Sequence, residues 1–160
     1  MNRHETAFQT AAQLFSHREI AFAKINAAFQ IETVSTSFET LFGELSDKVL
    51  GQPITEVMME FVGAEDALNS VLSGHSPNYS LSNVYRQAEN EGLATYLSFN
   101  VIAADSNDRH AGLFILVEDS TVQGRLEQEL VQERNDLRLA RIALSEANEK
   151  LRQLDAHKQI

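Results

Sequence analysis

The stretch Ile115–Leu126, ILVEDSTVQGRL, decides how the rest of the chain is read. On its left, Leu113-Phe114-Ile115-Leu116-Val117 is an apolar run with the length and β-branching of a buried strand. On its right, leucines recur at helical spacing almost to the last residue. Between the two stands Asp119-Ser120-Thr121, short polar side chains of the kind that open helices. Gln123 follows Ser120 at the spacing of a capping box. A strand therefore turns directly into a long helix. Such a joint couples a sheet mechanically to whatever the helix meets, which points to a sensor or dimerisation module rather than an enzyme.

The helix has a seam. Leu130, Leu137, Leu144 and Leu151 repeat every seven residues, and Leu126, Glu133, Ala140, Ala147 and Leu154 form the second row of a heptad pattern. At ~1.5 Å per residue the helix is roughly 50 Å long, and without a partner its leucines would face water. In a parallel pair, Glu129 would face Arg134, Asp136 would face Arg141 and Lys150 would face Asp155, all opposite in sign. Exposed pairs contribute only ~0.2–1 kcal/mol each, so they select an orientation rather than hold the dimer. The expected partner is a second copy, in a parallel homodimer. Glu133 and the two alanines make the seam imperfect, which suits a helix pair that shifts register or rotates during signalling.

Composition narrows the class. The 160 residues have room for one domain of ordinary size plus an extension, and 43% apolar content supports a core. A formal charge of −10 argues against nucleic acid and against an anionic membrane surface. No apolar run approaches the ~20 residues of a membrane span. Met1-Asn2-Arg3-His4-Glu5 lacks the apolar core of a signal peptide, so a cytoplasmic location is expected. With no cysteine there is no disulfide, thiolate ligand or cysteine nucleophile.

From the N-terminus, Phe8, Ala11, Ala12 and Phe15 share one face of an amphipathic helix over Glu5–His17. It would pack on its own domain, on a second copy, or on both. Ile20–Ile25 and Phe29–Val34 read as strands around a turn at Asn26-Ala27-Ala28. Ser35 or Thr36 would cap a short helix carrying Phe38, Leu41 and Phe42 that Gly43 stops. Leu50-Gly51-Gln52-Pro53 is a turn, followed by a helix with Ile54, Val57, Met58 and Phe61 on one face. Another helix covers Ala64–Ser73. Three strands follow, at Tyr79–Arg86, Leu93–Ala103 and Ala111–Glu118, with polar turns at Glu89–Gly92 and Asp105–Asp108. Two strands, several short helices and three antiparallel strands make an α+β pattern.

Ile31 leading into Ser35, then Phe38, Leu41 and Gly43, then Leu50-Gly51-Gln52-Pro53, Leu72-Ser73-Gly74 and Glu118-Asp119-Ser120-Thr121 occur in the order and spacing of a PAS domain. The resemblance covers about Ile20–Thr121. It implies a five-stranded antiparallel sheet with short helices, and an Asp-x-Thr signature through which the last strand signals to a helix. Three departures stand out. Ser120 replaces the usual apolar residue, Asn26-Ala27-Ala28-Phe29 replaces an Asp-x-x-Gly turn, and Ser35 stands where asparagine is common. Residues 147–158 also resemble the linker entering the dimerisation domain of sensor histidine kinases. The chain thus resembles the sensor region of a bacterial sensor histidine kinase. It is expected to be a piece of a longer protein whose output domain, a histidine kinase by preference over a cyclase or phosphatase, follows Ile160. No phosphoacceptor motif is present, and His157 reads as a surface residue.

Catalysis within these residues is not expected. There is no phosphate-binding glycine loop, no nucleophile elbow, and His4, His17, His75, His110 and His157 are scattered. PAS domains hold haem, flavin, small metabolites or nothing. The flavin-photoadduct type needs a cysteine that is absent here. Haem-binding members use a histidine near the position of His75, which here reads as a loop residue, so no cofactor is expected. Phe61, Tyr85, Leu97 and Phe99 are pocket candidates if an interior ligand exists, although such residues are more often core. The expected organisation is an N-terminal helix over 1–18, a sensor domain over 19–119 and a signalling coiled coil over 120–160. Asp119, Ser120 and Thr121 would relay the signal, and Leu126, Leu130, Leu137, Leu144, Leu151 and Leu154 would form the dimer seam. The competing readings are a constitutive dimerisation scaffold that senses nothing and an enzyme whose acid and base groups converge in a pocket.

Overall fold

The computed structural model describes residues 20–43, 46–87 and 95–159. The helix expected over Glu5–His17, the loop Glu89–Gly92 and the first residues of the strand expected from Leu93 lie outside them. The chain divides into two compact units, Met1–Thr121 and Val122–Ile160.

The first unit is built on strands β1 (Ala21–Ile25), β2 (Ile31–Val34), β3 (Asn78–Arg86), β4 (Thr95–Ala103) and β5 (Leu113–Asp119). They form one antiparallel sheet in the order β2-β1-β5-β4-β3. Between β2 and β3 run helices α1 (Thr36–Phe42), α2 (Ser46–Val49), α3 (Ile54–Val57) and α4 (Glu65–Leu72), with a 3₁₀ turn at Met59–Phe61. The last strand, β5, lies in the middle of the sheet, and a single residue separates it from α5 (Thr121–Lys158).

Period-2 alternation sorts the sheet's faces. Ala21, Ala23 and Ile25 of β1, Leu113, Ile115 and Val117 of β5, and Leu97, Phe99 and Val101 of β4 are all buried. Register brings Ala23 opposite Ile115, and Val117 opposite Phe99. Phe38, Val49, Ile54, Met58, Phe61, Leu68 and Val71 close the core from the helical segment. As expected, Ser35 caps α1: its Oγ accepts the Phe38 N–H at 3.2 Å, and Gly43 ends the helix in the left-handed conformation. Ser35 also pairs with β1, accepting the Phe22 N–H at 3.0 Å. One hydroxyl therefore fixes where the first helix leaves the sheet.

Two details differ from the sequence reading. The single helix expected through Ile54, Val57, Met58 and Phe61 is broken, because Met58 takes an extended conformation that buries its side chain before the 3₁₀ turn. Helix α2, anchored by the buried Val49, carries too few apolar residues to show a period.

The β1–β2 turn is held by Asn26, whose Oδ1 accepts the N–H groups of Ala28 at 2.9 Å and Gln30 at 3.0 Å. Phe29 occupies the left-handed region, φ 61°, where a bulky side chain is strained, and its ring packs against the core. Its carbonyl receives the Ile54 N–H at 2.9 Å, which ties the turn to α3. Phe29→Gly removes ring packing and strain together, whereas Phe29→Ala removes the packing and keeps the strain. The alanine variant is therefore expected to be less stable than the glycine variant by about 1 kcal/mol in urea unfolding. The reverse order would show that the turn relaxes once the ring is gone.

Candidate functional site

The strand-to-helix joint is assembled from β4, β5 and the first residue of α5. At the end of β5, the Ser120 N–H donates to the Tyr96 carbonyl of β4 at 2.8 Å. The Tyr96 N–H in turn donates to Thr121 Oγ1 at 3.1 Å. The Thr121 N–H and its hydroxyl both donate to Asp119 Oδ1, the N–H at 2.9 Å. Asp119 thus satisfies an orphan amide at the helix start and orients the threonine hydroxyl to receive the strand amide. Asp119, Ser120 and Thr121 are brought together as one hydrogen-bonded group. The capping box expected on Ser120 and Gln123 gives way to this arrangement, because Ser120 is buried and its hydroxyl accepts a bond from Ser98 Oγ of β4 at 3.0 Å.

Of the interior candidates, Phe61, Leu97 and Phe99 are buried, and the rings of Phe61 and Phe99 meet edge to face at 5.5 Å. Tyr85 does not join them. It is 55% exposed and meets Tyr96 instead, with ring centroids 5.6 Å apart. A β-bulge is the reason. Leu81 pairs with Phe99 but Val84 pairs with Leu97, so β3 spends one residue more than β4, with Asn83 at φ 51°. The extra residue reverses the phase of the strand, and Val84 takes the core position that simple alternation assigns to Tyr85.

A polar group that the sequence did not reveal closes the same side. Glu60 Oε1 receives Arg86 Nε at 2.9 Å, with the glutamate side chain only 9% exposed. The guanidinium lies 4.7 Å over the Phe42 ring, which stacks on Phe38 at 4.3 Å. The 3₁₀ turn, the end of β3 and α1 are linked through this one arginine. Because Glu60 and Arg86 are joined only by the fold, no local motif announces them.

No protein-family model matches the sequence, and a search of the curated proteins returns no match. Solved structures do match. A PAS domain from Colwellia psychrerythraea superposes with a TM-score of 0.54 at 15% identity, over 72% of this chain and 98% of that one. The PAS domain of Bordetella pertussis BvgS gives 0.53 at 14% identity, over 82% and 98%. A sensory box sensor histidine kinase from Vibrio cholerae gives 0.50 at 16% identity, over 73% and 94%. The fold is the PAS fold.

Within the PAS fold, the joint described above falls where the sheet ends. His75 follows α4 and is exposed, its Nδ1 2.6 Å from Ser73 Oγ and its N–H bonded to the Ser70 carbonyl. His157 is also exposed, with Nδ1 2.8 Å from the Gln153 carbonyl. Among the described residues no three His, Asp or Glu side chains converge as a metal site, and no helix is long and apolar enough to cross a membrane.

Helix α5 belongs to the second compact unit from Val122 onward. Its 38 residues include Leu126, Leu130, Leu137, Leu144, Leu151 and Leu154, all exposed in the single chain. Val131, Leu139 and Ile142 are exposed as well. At 100° per residue they fall on the side away from the leucine rows, a second apolar face that counting heptads had passed over.

Proposed function

We propose that this chain is a sensor and dimerisation module that passes a change in the PAS sheet, residues 19–119, into a parallel pair of helices over 120–160. The output domain it serves is of the histidine kinase class, and the assembly works in the cytoplasm. The observation that carries this reading is the joint itself. The central strand of the sheet ends in a hydrogen-bonded group whose members belong to β4, β5 and the helix start. A shift of β4 against β5 must strain or release those bonds, so the joint can translate sheet movement into helix movement. The exposed leucine rows support a second copy as partner, and the likeness to a sensor histidine kinase from Vibrio cholerae supports the output class. The N-terminal amphipathic stretch would add to the same dimer.

Asp119→Ala combined with Thr121→Ala, in the chain joined to its output domain, is expected to change signal-dependent autophosphorylation about tenfold, the loss of one or two such bonds. The dimer should persist by sedimentation. Unchanged output in that variant would sink the relay. One observation favours the scaffold reading instead: the pocket candidates Phe61, Leu97 and Phe99 are all buried, and the rings of Phe61 and Phe99 meet edge to face. Native mass spectrometry of protein from its own host separates the two. A dimer with added mass supports a ligand-binding sensor, and a dimer of bare polypeptide mass supports a domain that holds no tight ligand.

A further inference from the structure

Ser120 is the only polar residue among those described that is buried. A buried hydroxyl is stable only when hydrogen-bonded, and the partner of this one is Ser98 Oγ, 3.0 Å away in the neighbouring strand. Ser98 stands between Leu97 and Phe99, both in the core, so its own side chain lies on the opposite face of the sheet. Its oxygen is engaged from the far side too, accepting the N–H of Asn83 at 3.0 Å. Asn83 is the bulge residue of β3, with its backbone in the left-handed region. The amide that the bulge withdraws from the β3–β4 ladder is therefore satisfied by a side chain of β4 rather than by its backbone.

We infer that Ser98 is a positioning residue that couples the β3 bulge to the strand-to-helix joint, through the series Asn83 N–H, Ser98 hydroxyl, Ser120 hydroxyl. A hydroxyl has one hydrogen to give. Ser98 gives it to Ser120 while its lone pair holds the Asn83 amide, so its rotamer answers to both neighbours at once. Straightening or sliding the bulge withdraws the Asn83 amide, frees Ser98 to turn, and alters the bond that seats Ser120. Ser120 is also bonded through its N–H to Tyr96, the residue that holds Thr121. The position where the PAS pattern carries an apolar residue is thus occupied here by the end of a polar series crossing three strands. That the joint drives an output rests on the reading above, whereas the coupling itself belongs to this domain alone.

Amide hydrogen exchange followed by NMR on the whole 160-residue chain tests it. Asn83→Ala makes the left-handed bulge costly and is expected to speed exchange at Ser120 and Thr121 about fivefold to tenfold. Asn83→Gly, which keeps the conformation at no steric cost, should leave both amides as they are. In a Ser98→Ala background, adding Asn83→Ala should change those two amides less than about twofold, and Ser98→Thr, which restores a hydroxyl, should restore the transmission. Coupling is reciprocal, so Ser120→Ala should speed exchange at Asn83 in the natural background and not in Ser98→Ala. This second arm stands if Asn83→Ala fails to fold. Equal transmission with and without the Ser98 hydroxyl would show that the backbone ladder alone carries the signal and would overturn the inference. So would no transmission in the natural background. A chain found to be monomeric by sedimentation would overturn the dimer relay and leave these exchange results intact.

Discussion

Gly112→Ala is expected to destabilise the PAS-fold domain by about 3 kcal/mol or more, a large share of the ~5–15 kcal/mol that holds a domain folded. Gly112 precedes β5 with φ 83° and ψ −154°, backbone that only glycine adopts readily. A Cβ there would stand 1.9 Å from the Ile25 carbonyl oxygen and 3.0 Å from Asn26 Cα. Both obstacles are backbone, so no flexible side chain can yield. Nor can the glycine retreat easily, because its carbonyl accepts the Ala104 N–H at 2.9 Å on the other side. Relief would require β1 to part from β5 where Ile25 pairs with Leu113, at the edge of the core. Gly63 is the control. It also has positive φ, 82°, but a Cβ there meets nothing within 4 Å, so Gly63→Ala should cost only about 1 kcal/mol. Urea unfolding of the two variants reads the difference, and equal losses would mean that the close approach at Gly112 is not what fixes this glycine.

How much of this molecule the sequence disclosed depends on how local each cause is. Strand β4 was legible because Leu97, Phe99 and Val101 alternate with polar residues as a half-buried sheet requires, and β5 because Leu113–Val117 is an unbroken apolar run of strand length. Ser35 and Gly43 were legible because capping is a matter of a few adjacent residues. The joint at Asp119-Ser120-Thr121 was visible as a place, but its bonding was not. Its partners Tyr96 and Ser98 come from another strand, and competition between a capping role and a buried pairing for Ser120 is settled only by the fold. Tyr85 was misplaced for a related reason. One residue of bulge at Asn83 inverts every assignment beyond it, and Asn in a strand gives little warning. The Glu60–Arg86 pair joins residues with nothing between them in sequence to connect them. On the long helix the leucines drew the eye to one seam and away from Val131, Leu139 and Ile142.

That second apolar face makes the dimer prediction a sharp one. Leu137→Asp together with Leu144→Asp is expected to break the proposed dimer into monomers in sedimentation velocity, with a loss of helical circular dichroism. Leu137 is 71% exposed in the single chain and Leu144 63%, so neither substitution disturbs a core. In a parallel pair each substitution acts twice. Four leucines at ~1.5–3 kcal/mol of burial each amount to roughly 6–12 kcal/mol, enough to weaken association by a factor of about 10⁴ or more. Helicity should fall with it, since helices of this composition gain most of their stability from packing. Leu139→Asp with Ile142→Asp places the same charges at two exposed apolar positions on the other side and should leave the proposed dimer intact. If that pair dissociates the chain while the first does not, the seam runs along Val131, Leu139 and Ile142, and the charge pairing that selects a parallel arrangement no longer applies. Orientation has its own readout. The chain contains no cysteine, so Leu130→Cys introduces a single thiol. Only in a parallel, in-register pair do the two copies of that position meet, and rapid oxidation to a disulfide-linked dimer is the expected result.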